Sequence, residues 1–195
     1  KIRDVESHGM LCSHKELGLA TESDGIAILE AQAKVGQSFA EYAGYDDVTF
    51  ELKVTPNRAD CLSHYGLARE LGCLLNKPVK SPEVLTKFSE NSTRQKIKLE
   101  VLNTDLCPRY CGRYISGVKI GPSPDWLKKR LEAIGQNSIN NVVDVTNYVM
   151  LEMGQPLHAF DAELIAGRSI QVRKAQPQEK FKTLKEQDLT LTGEE

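Results

Sequence analysis

The chain has no apolar run of about eighteen residues, no marked excess of charge of either sign, and none of the short signatures of the common nucleotide and metal enzymes. Each absence excludes something. Without the apolar run there is no candidate for a membrane-crossing helix, and no membrane partner is expected. Lys1-Ile-Arg-Asp-Val-Glu-Ser-His-Gly9 lacks the basic start and apolar centre of a secretory signal. With 25 Lys and Arg against 27 Asp and Glu, the formal charge of −2 carries no global footprint of nucleic-acid binding, although a total says nothing about a local basic patch. There is no G-x-S-x-G elbow, no G-x-x-x-x-G-K-[ST], no G-x-G-x-x-G and no H-E-x-x-H, so no cofactor site is expected in the chain itself.

Cysteine is present but unsystematic. Cys12, Cys61, Cys73, Cys107 and Cys111 are odd in number and scattered, which argues against a disulfide framework and for a reducing, cytoplasmic compartment. Cys107 and Cys111 make a lone C-x3-C; with four histidines in all and no second ligand pair in zinc spacing, packed free thiols are expected and no metal.

What is there is a globular composition: 195 residues, 40% hydrophobic and 27% charged, enough for one full domain and part of another. Residues 48–54 (Val-Thr-Phe-Glu-Leu-Lys-Val) alternate as a half-buried strand does, and Pro56 closes it. Asp60 is placed to cap a helix whose apolar positions include Leu62, Tyr65, Leu67, Leu71 and Leu74, ending before Asn76-Lys-Pro78. The polar stretch 81–95 reads as a linker. Beyond it, strands are expected over 97–101, 110–120 with a bulge at Ser116-Gly117, 169–173, 181–184 and from 189 onward. Ser123-Pro-Asp-Trp-Leu-Lys-Lys-Arg-Leu-Glu-Ala-Ile-Gly135 has a capping serine, a first-turn proline and a terminal glycine, with Trp126, Leu127, Leu131 and Ile134 as its buried stripe. Lys128, Lys129 and Arg130 form either a solvated face or an RNA contact. The fold class expected is α+β: mixed sheets with packed helices in at least two units.

The densest chemistry lies in 141–161. An amphipathic helix, capped by Asn141 or Asp144, stops at Gly154 and Pro156 and runs into a loop presenting Gln155, His158 and Asp161. Thr146, Asn147 and His158 supply a hydroxyl, an amide and an imidazole, a set suited to holding a polar substrate or a water. Read alone, each has a plain alternative: His158 satisfying loop backbone groups, and Thr146 and Asn147 facing solvent or bonding back to the preceding turn. Asp161 reads as the N-cap of a short helix over 162–165, and Asn57-Arg58 as either a functional loop or a turn with a salt bridge.

Several ordered motifs carry a resemblance that covers the chain nearly end to end. Glu6-Ser-His-Gly-Met-Leu-Cys-Ser13 with Glu16-Leu-Gly-Leu19, Glu51-Leu-Lys-Val-Thr-Pro-Asn-Arg-Ala-Asp-Cys-Leu62 with Gly66-Leu-Ala-Arg-Glu70, Cys107-Pro-Arg-Tyr with Gly112-Arg113, Val142-Val-Asp-Val-Thr-Asn-Tyr-Val149 and Gly154-Gln-Pro-Leu-His-Ala-Phe-Asp161 resemble the beta subunit of bacterial phenylalanyl-tRNA synthetase. The resemblance implies the end of an OB-type tRNA-binding domain in 1–30, a strand-turn-helix structural domain in 31–80, a linker over 81–95 and the first part of an editing domain in 96–195. It also implies that the family's editing threonine, asparagine and histidine fall on Thr146, Asn147 and His158. These residues would position the aminoacyl ester of Tyr-tRNA(Phe) and a hydrolytic water.

For the parent enzyme it implies an alpha subunit partner in an alpha2-beta2 heterotetramer, tRNA(Phe), and ATP with Mg2+ for charging. The family's glycine-rich segment and tyrosine-reading acid are expected beyond Glu195, so the chain is expected to be cut from a longer polypeptide and to be inactive alone. Asp4 and Leu157 stand where that family often has glycine and methionine. The rival expectation is a scaffold or RNA-binding module without a catalytic role.

Overall fold

The computed structural model describes residues 4, 6–84, 92–183 and 186–195. The chain divides into two compact units, residues 1–50 and 51–195. The centre of the linker expected over 81–95, and Leu184 of the strand expected over 181–184, lie outside the described residues.

In the first unit, Ser13 and Glu16 form a reciprocal box: the Ser13 N–H donates to the Glu16 carboxylate at 2.8 Å and the Glu16 N–H donates to Ser13 Oγ at 3.2 Å. These bonds, led by the Ser13 N–H, hold the Glu16 carboxyl below its ordinary value. A single short helix, α1 (Phe39–Ala43), ends at Gly44, which takes the left-handed conformation that a non-glycine residue adopts at a cost. No strand forms among the described residues of this unit.

The alternation over 48–54 forms no strand either. Phe50 and Leu52 remain exposed. Alternation prescribes two faces, but a ladder also needs a paired strand, and among the described residues no strand ladder includes this segment.

In the second unit, a 3-10 turn at Pro56–Leu62 leads into α2 (His64–Leu74). The helix cap is Ser63, not the expected Asp60: Ser63 Oγ accepts from the Gly66 N–H at 3.0 Å. Asp60 instead receives Arg58, whose guanidinium reaches both carboxylate oxygens, at 3.1 and 3.0 Å, and also Glu70 at 2.6 Å. Arg58 thus takes the salt-bridge role, and its hydrogen bonds pull both carboxyls below their ordinary values.

Strand β1 (Lys98–Val101) pairs in parallel with β2 (Ser169–Val172), from Lys98↔Ser169 through Val101↔Val172. Between them come α3 (Asp125–Glu132) and α4 (Asn141–Met153), as a parallel pair requires a long crossover. A separate antiparallel hairpin joins β3 (Lys180–Lys182) to β4 (Asp188–Thr190), with Phe181 opposite Leu189. Helices with one parallel and one antiparallel sheet make the chain α+β. The strand expected over 110–120 does not form; like 48–54, it has the pattern without a strand ladder among the described residues.

The apolar centre of the second unit sits under α3. Leu127 and Leu131 are each 1% exposed. The expected four-residue stripe is narrower than its pattern: Trp126 is 56% exposed and meets Tyr148 of α4 edge to face at 5.5 Å, and Ile134 is exposed as well. Ser123 does not cap α3. Pro124 occupies the cap position, and the Ser123 hydroxyl turns to α4 instead.

Candidate functional site

Everything in the candidate site depends on how α4 is held. The N-cap is Asn140, neither of the expected Asn141 and Asp144, and its Oδ1 accepts from the N–H groups of Val142 and Val143, each at 3.0 Å. Asn141 binds the segment before α3 instead. Its Nδ2 donates to the Lys119 carbonyl at 2.9 Å, its Oδ1 accepts from the Gly121 N–H at 3.2 Å, and its own N–H donates to the Gly121 carbonyl at 2.9 Å.

Asp144 is 0% exposed. Its carboxylate accepts from the hydroxyls of Ser123 and Ser138, both at 2.5 Å, and from the Ile139 N–H at 2.9 Å. Burial pushes this carboxyl up, but the Ile139 N–H, the two serine hydroxyls and the backbone at Asn140 outweigh it, and the group lies below its ordinary value. It is therefore a buried, ionised carboxylate satisfied by donors.

Two residues along, Thr146 is half-buried and its Oγ1 donates to the Val143 carbonyl at 2.6 Å. That bond uses the hydroxyl's only proton, so the lone pairs are what Thr146 can offer to a ligand. Asn147 is half-buried, and among the described residues its side chain makes no hydrogen bond. The helix ends at Gly154, left-handed at φ 81°, where the backbone favours glycine. A Cβ there would meet Ser63 Cβ and Oγ at 3.3 Å, so the end of α4 rests on the start of α2. His64 strengthens that seat: its ring Nδ1 lies 3.1 Å from the Leu151 carbonyl, one of the last-turn acceptors with no partner in the helix.

His158 follows in the exposed loop, its ring 6.5 Å from that of Phe160. No hydrogen bond joins His158 to Thr146 or Asn147 among the described residues. Helix and loop carry the three groups in sequence order, Thr146 and Asn147 on α4 and His158 in the loop after Gly154. Asp161 caps a turn rather than a helix: its Oδ1 accepts from the Glu163 N–H at 3.0 Å, while 162–165 stays non-helical.

A shallow depression lined by Asn103, Leu106, Cys107, Val172, Arg173, Lys174 and Glu195 involves none of the three residues. The expectation of packed thiols holds for Cys61, which is buried, and fails for Cys73 and Cys111, which are exposed. The polar ring around Asp144 was missed by sequence reasoning. Its one local signal is an aspartate on the inward side of an amphipathic helix.

Residues 106–195 match the family model of the B3/4 domain, which places α3, α4 and the His158 loop within one recognised domain class. The whole chain is similar to the phenylalanine–tRNA ligase beta subunit of Bdellovibrio bacteriovorus (63% identical over 194 residues, covering 100% of the chain and 24% of that protein). Similar subunits from Geobacter metallireducens (54% identical, 98% and 24%) and Fusobacterium nucleatum (48% identical, 100% and 24%) match in the same way. The chain belongs to the phenylalanine–tRNA ligase beta subunit family and spans about a quarter of the length of these relatives.

Proposed function

We propose that the chain contributes one wall of an editing site in a phenylalanine–tRNA ligase beta subunit, where tyrosine mischarged onto tRNA(Phe) is hydrolysed. The observation that carries this reading is the sequence of α4, its Gly154 stop and the exposed His158 loop inside the B3/4 match, with the polar groups of Asn147 and His158 unspent on the protein itself. An aromatic pocket rejects one added hydroxyl poorly, so a synthetase for phenylalanine gains from a second, hydrolytic sieve.

In this reading a water adds to the tyrosyl ester carbonyl, the bond from that carbon to the terminal ribose oxygen breaks, and free tyrosine and uncharged tRNA leave. Thr146 accepts a hydrogen bond through its lone pairs, Asn147 both donates and accepts, and His158 orients the water or the ribose. No covalent intermediate is needed.

The parent activity, attachment of phenylalanine to tRNA(Phe), belongs in this proposal to a cytoplasmic alpha2-beta2 assembly in which the alpha subunit handles ATP and Mg2+. Among the described residues no three His, Cys, Asp or Glu side chains are grouped to hold a metal ion. No step is therefore routed through it. We assign 1–30 to the tRNA-binding domain, 31–80 to the structural domain that follows and 96–195 to the editing domain. Changing His158 to Ala in the holoenzyme is expected to reduce Tyr-tRNA(Phe) deacylation at least tenfold with phenylalanine charging intact. Unchanged deacylation would leave these residues as scaffold.

A further inference from the structure

The geometry points to Asp144 as a positioning residue for the editing reaction, one that sets the rotation of α4 about its own axis and so the direction in which Thr146 and Asn147 face. This rests on the editing assignment. The carboxylate gathers three separate pieces of chain: Ser123 just before α3, Ser138 and Ile139 just after it, and α4 itself. Both ends of α3 are thereby tied to a single point on α4. No ion pair among the described residues reaches Asp144. Its charge is instead met by two hydroxyls, an N–H and the positive end of α4.

Such an anchor differs from apolar packing in being directional. Leu127 and Leu131 attract α4 without prescribing its rotation, whereas three donors converging on two oxygens permit one orientation. Thr146 and Asn147 lie two and three residues further on, and the bond from Thr146 Oγ1 to the Val143 carbonyl makes the hydroxyl follow the helix backbone. Side-chain groups ride about 5–6 Å from a helix axis. A rotation of about 20° would therefore carry them about 2 Å, and misplacement of about 1 Å is enough to cost on the order of a hundredfold in rate.

Three variants of the holoenzyme test this. Asp144→Asn keeps the shape and one acceptor, Asp144→Ala removes both acceptors, and Ser123→Ala with Ser138→Ala removes two donors while keeping the carboxylate. The kcat for deacylation of Tyr-tRNA(Phe) is expected to fall about tenfold for Asp144→Asn and about a hundredfold for Asp144→Ala, with the serine pair between wild type and Asp144→Asn. The KM for mischarged tRNA should stay within about twofold, as should phenylalanine charging, since a misaligned site still binds the tRNA.

Deacylation within twofold of wild type for both Asp144 variants would overturn the proposal. So would a parallel loss of charging, deacylation and thermal stability in Asp144→Asn, which marks a purely structural group. If the unaltered holoenzyme fails to deacylate Tyr-tRNA(Phe), the editing assignment falls and this inference with it. If it deacylates and His158→Ala abolishes the activity while Asp144→Ala does not, only the present inference falls.

Discussion

Gly66→Ala should destabilise the protein, although helix propensity alone favours alanine there by about 0.8–1 kcal/mol. Gly66 lies in the first turn of α2, and a Cβ built on it would sit 1.6 Å from the Asp60 carbonyl oxygen and 2.7 Å from the carbonyl carbon. A carbon-to-oxygen contact needs about 3.3 Å, so turn and helix must part by about 1.7 Å. Both clashing atoms are backbone, and no rotamer change relieves them.

Moving Asp60 loosens its bidentate pairing with Arg58, and moving Gly66 strains the cap bond to Ser63. Overpacking costs about 1–3 kcal/mol and loss of a cap about 1 kcal/mol, which less the propensity gain leaves a net loss of about 1–3 kcal/mol. With a urea m-value of about 2 kcal/mol/M, the midpoint followed by far-UV circular dichroism should fall by about 0.5–1.5 M. Arg69→Ala, at an exposed position of the same helix, serves as control and should change stability by less than about 0.5 kcal/mol. A Gly66→Ala midpoint equal to or above wild type would refute the reasoning. Because Ser63 supports Gly154, deacylation should also fall in this variant.

Leu131→Ala should cost about 3 kcal/mol, because Leu131 is 1% exposed beneath α3 and its loss leaves a cavity; a drop below about 1 kcal/mol in chemical denaturation would show that the site collapses freely. Glu179 is held by the Arg173 guanidinium at 2.9 and 2.7 Å and by the Gln176 N–H at 3.0 Å, which bring its carboxyl down from 4.5 to about 2. A lowered folded-state value means that this contribution to stability is complete above pH 4.5 and is lost as pH falls toward 2. Arg173→Gln should return the group toward its ordinary value in a carboxyl-detected NMR titration, and an unchanged titration would show that the guanidinium is not the main cause.

The helix of the candidate site was legible in the sequence because its signals are local. Apolar spacing at 3.6 residues marks α4, Gly154 stops it, and both act within a turn of the chain. The strands were half legible. The segments expected over 97–101 and 169–173 pair as β1 and β2, whereas 48–54 and 110–120 carry equally good alternation and form no strand. Alternation records which side chains could share a face, and pairing depends on whether another strand arrives.

Polar roles were the least legible. Ser123 before Pro124 has every local mark of a helix cap, yet its hydroxyl serves Asp144, and Asn140 caps α4 in place of both expected residues. Capping would use the Ser123 oxygen as an acceptor, whereas here its proton goes to a charged carboxylate, a stronger acceptor than a neutral oxygen.

By itself, the sequence determined where α3 and α4 form, where α4 stops and which family the chain belongs to, because periodicity, turn chemistry and motif order are carried by neighbouring residues. Only the tertiary structure decided which strands pair, which face of α3 is buried and what Asp144 does. Those outcomes depend on partners such as Ser169 for Lys98 and Ser123 for Asp144, brought into contact by folding and absent from any local window.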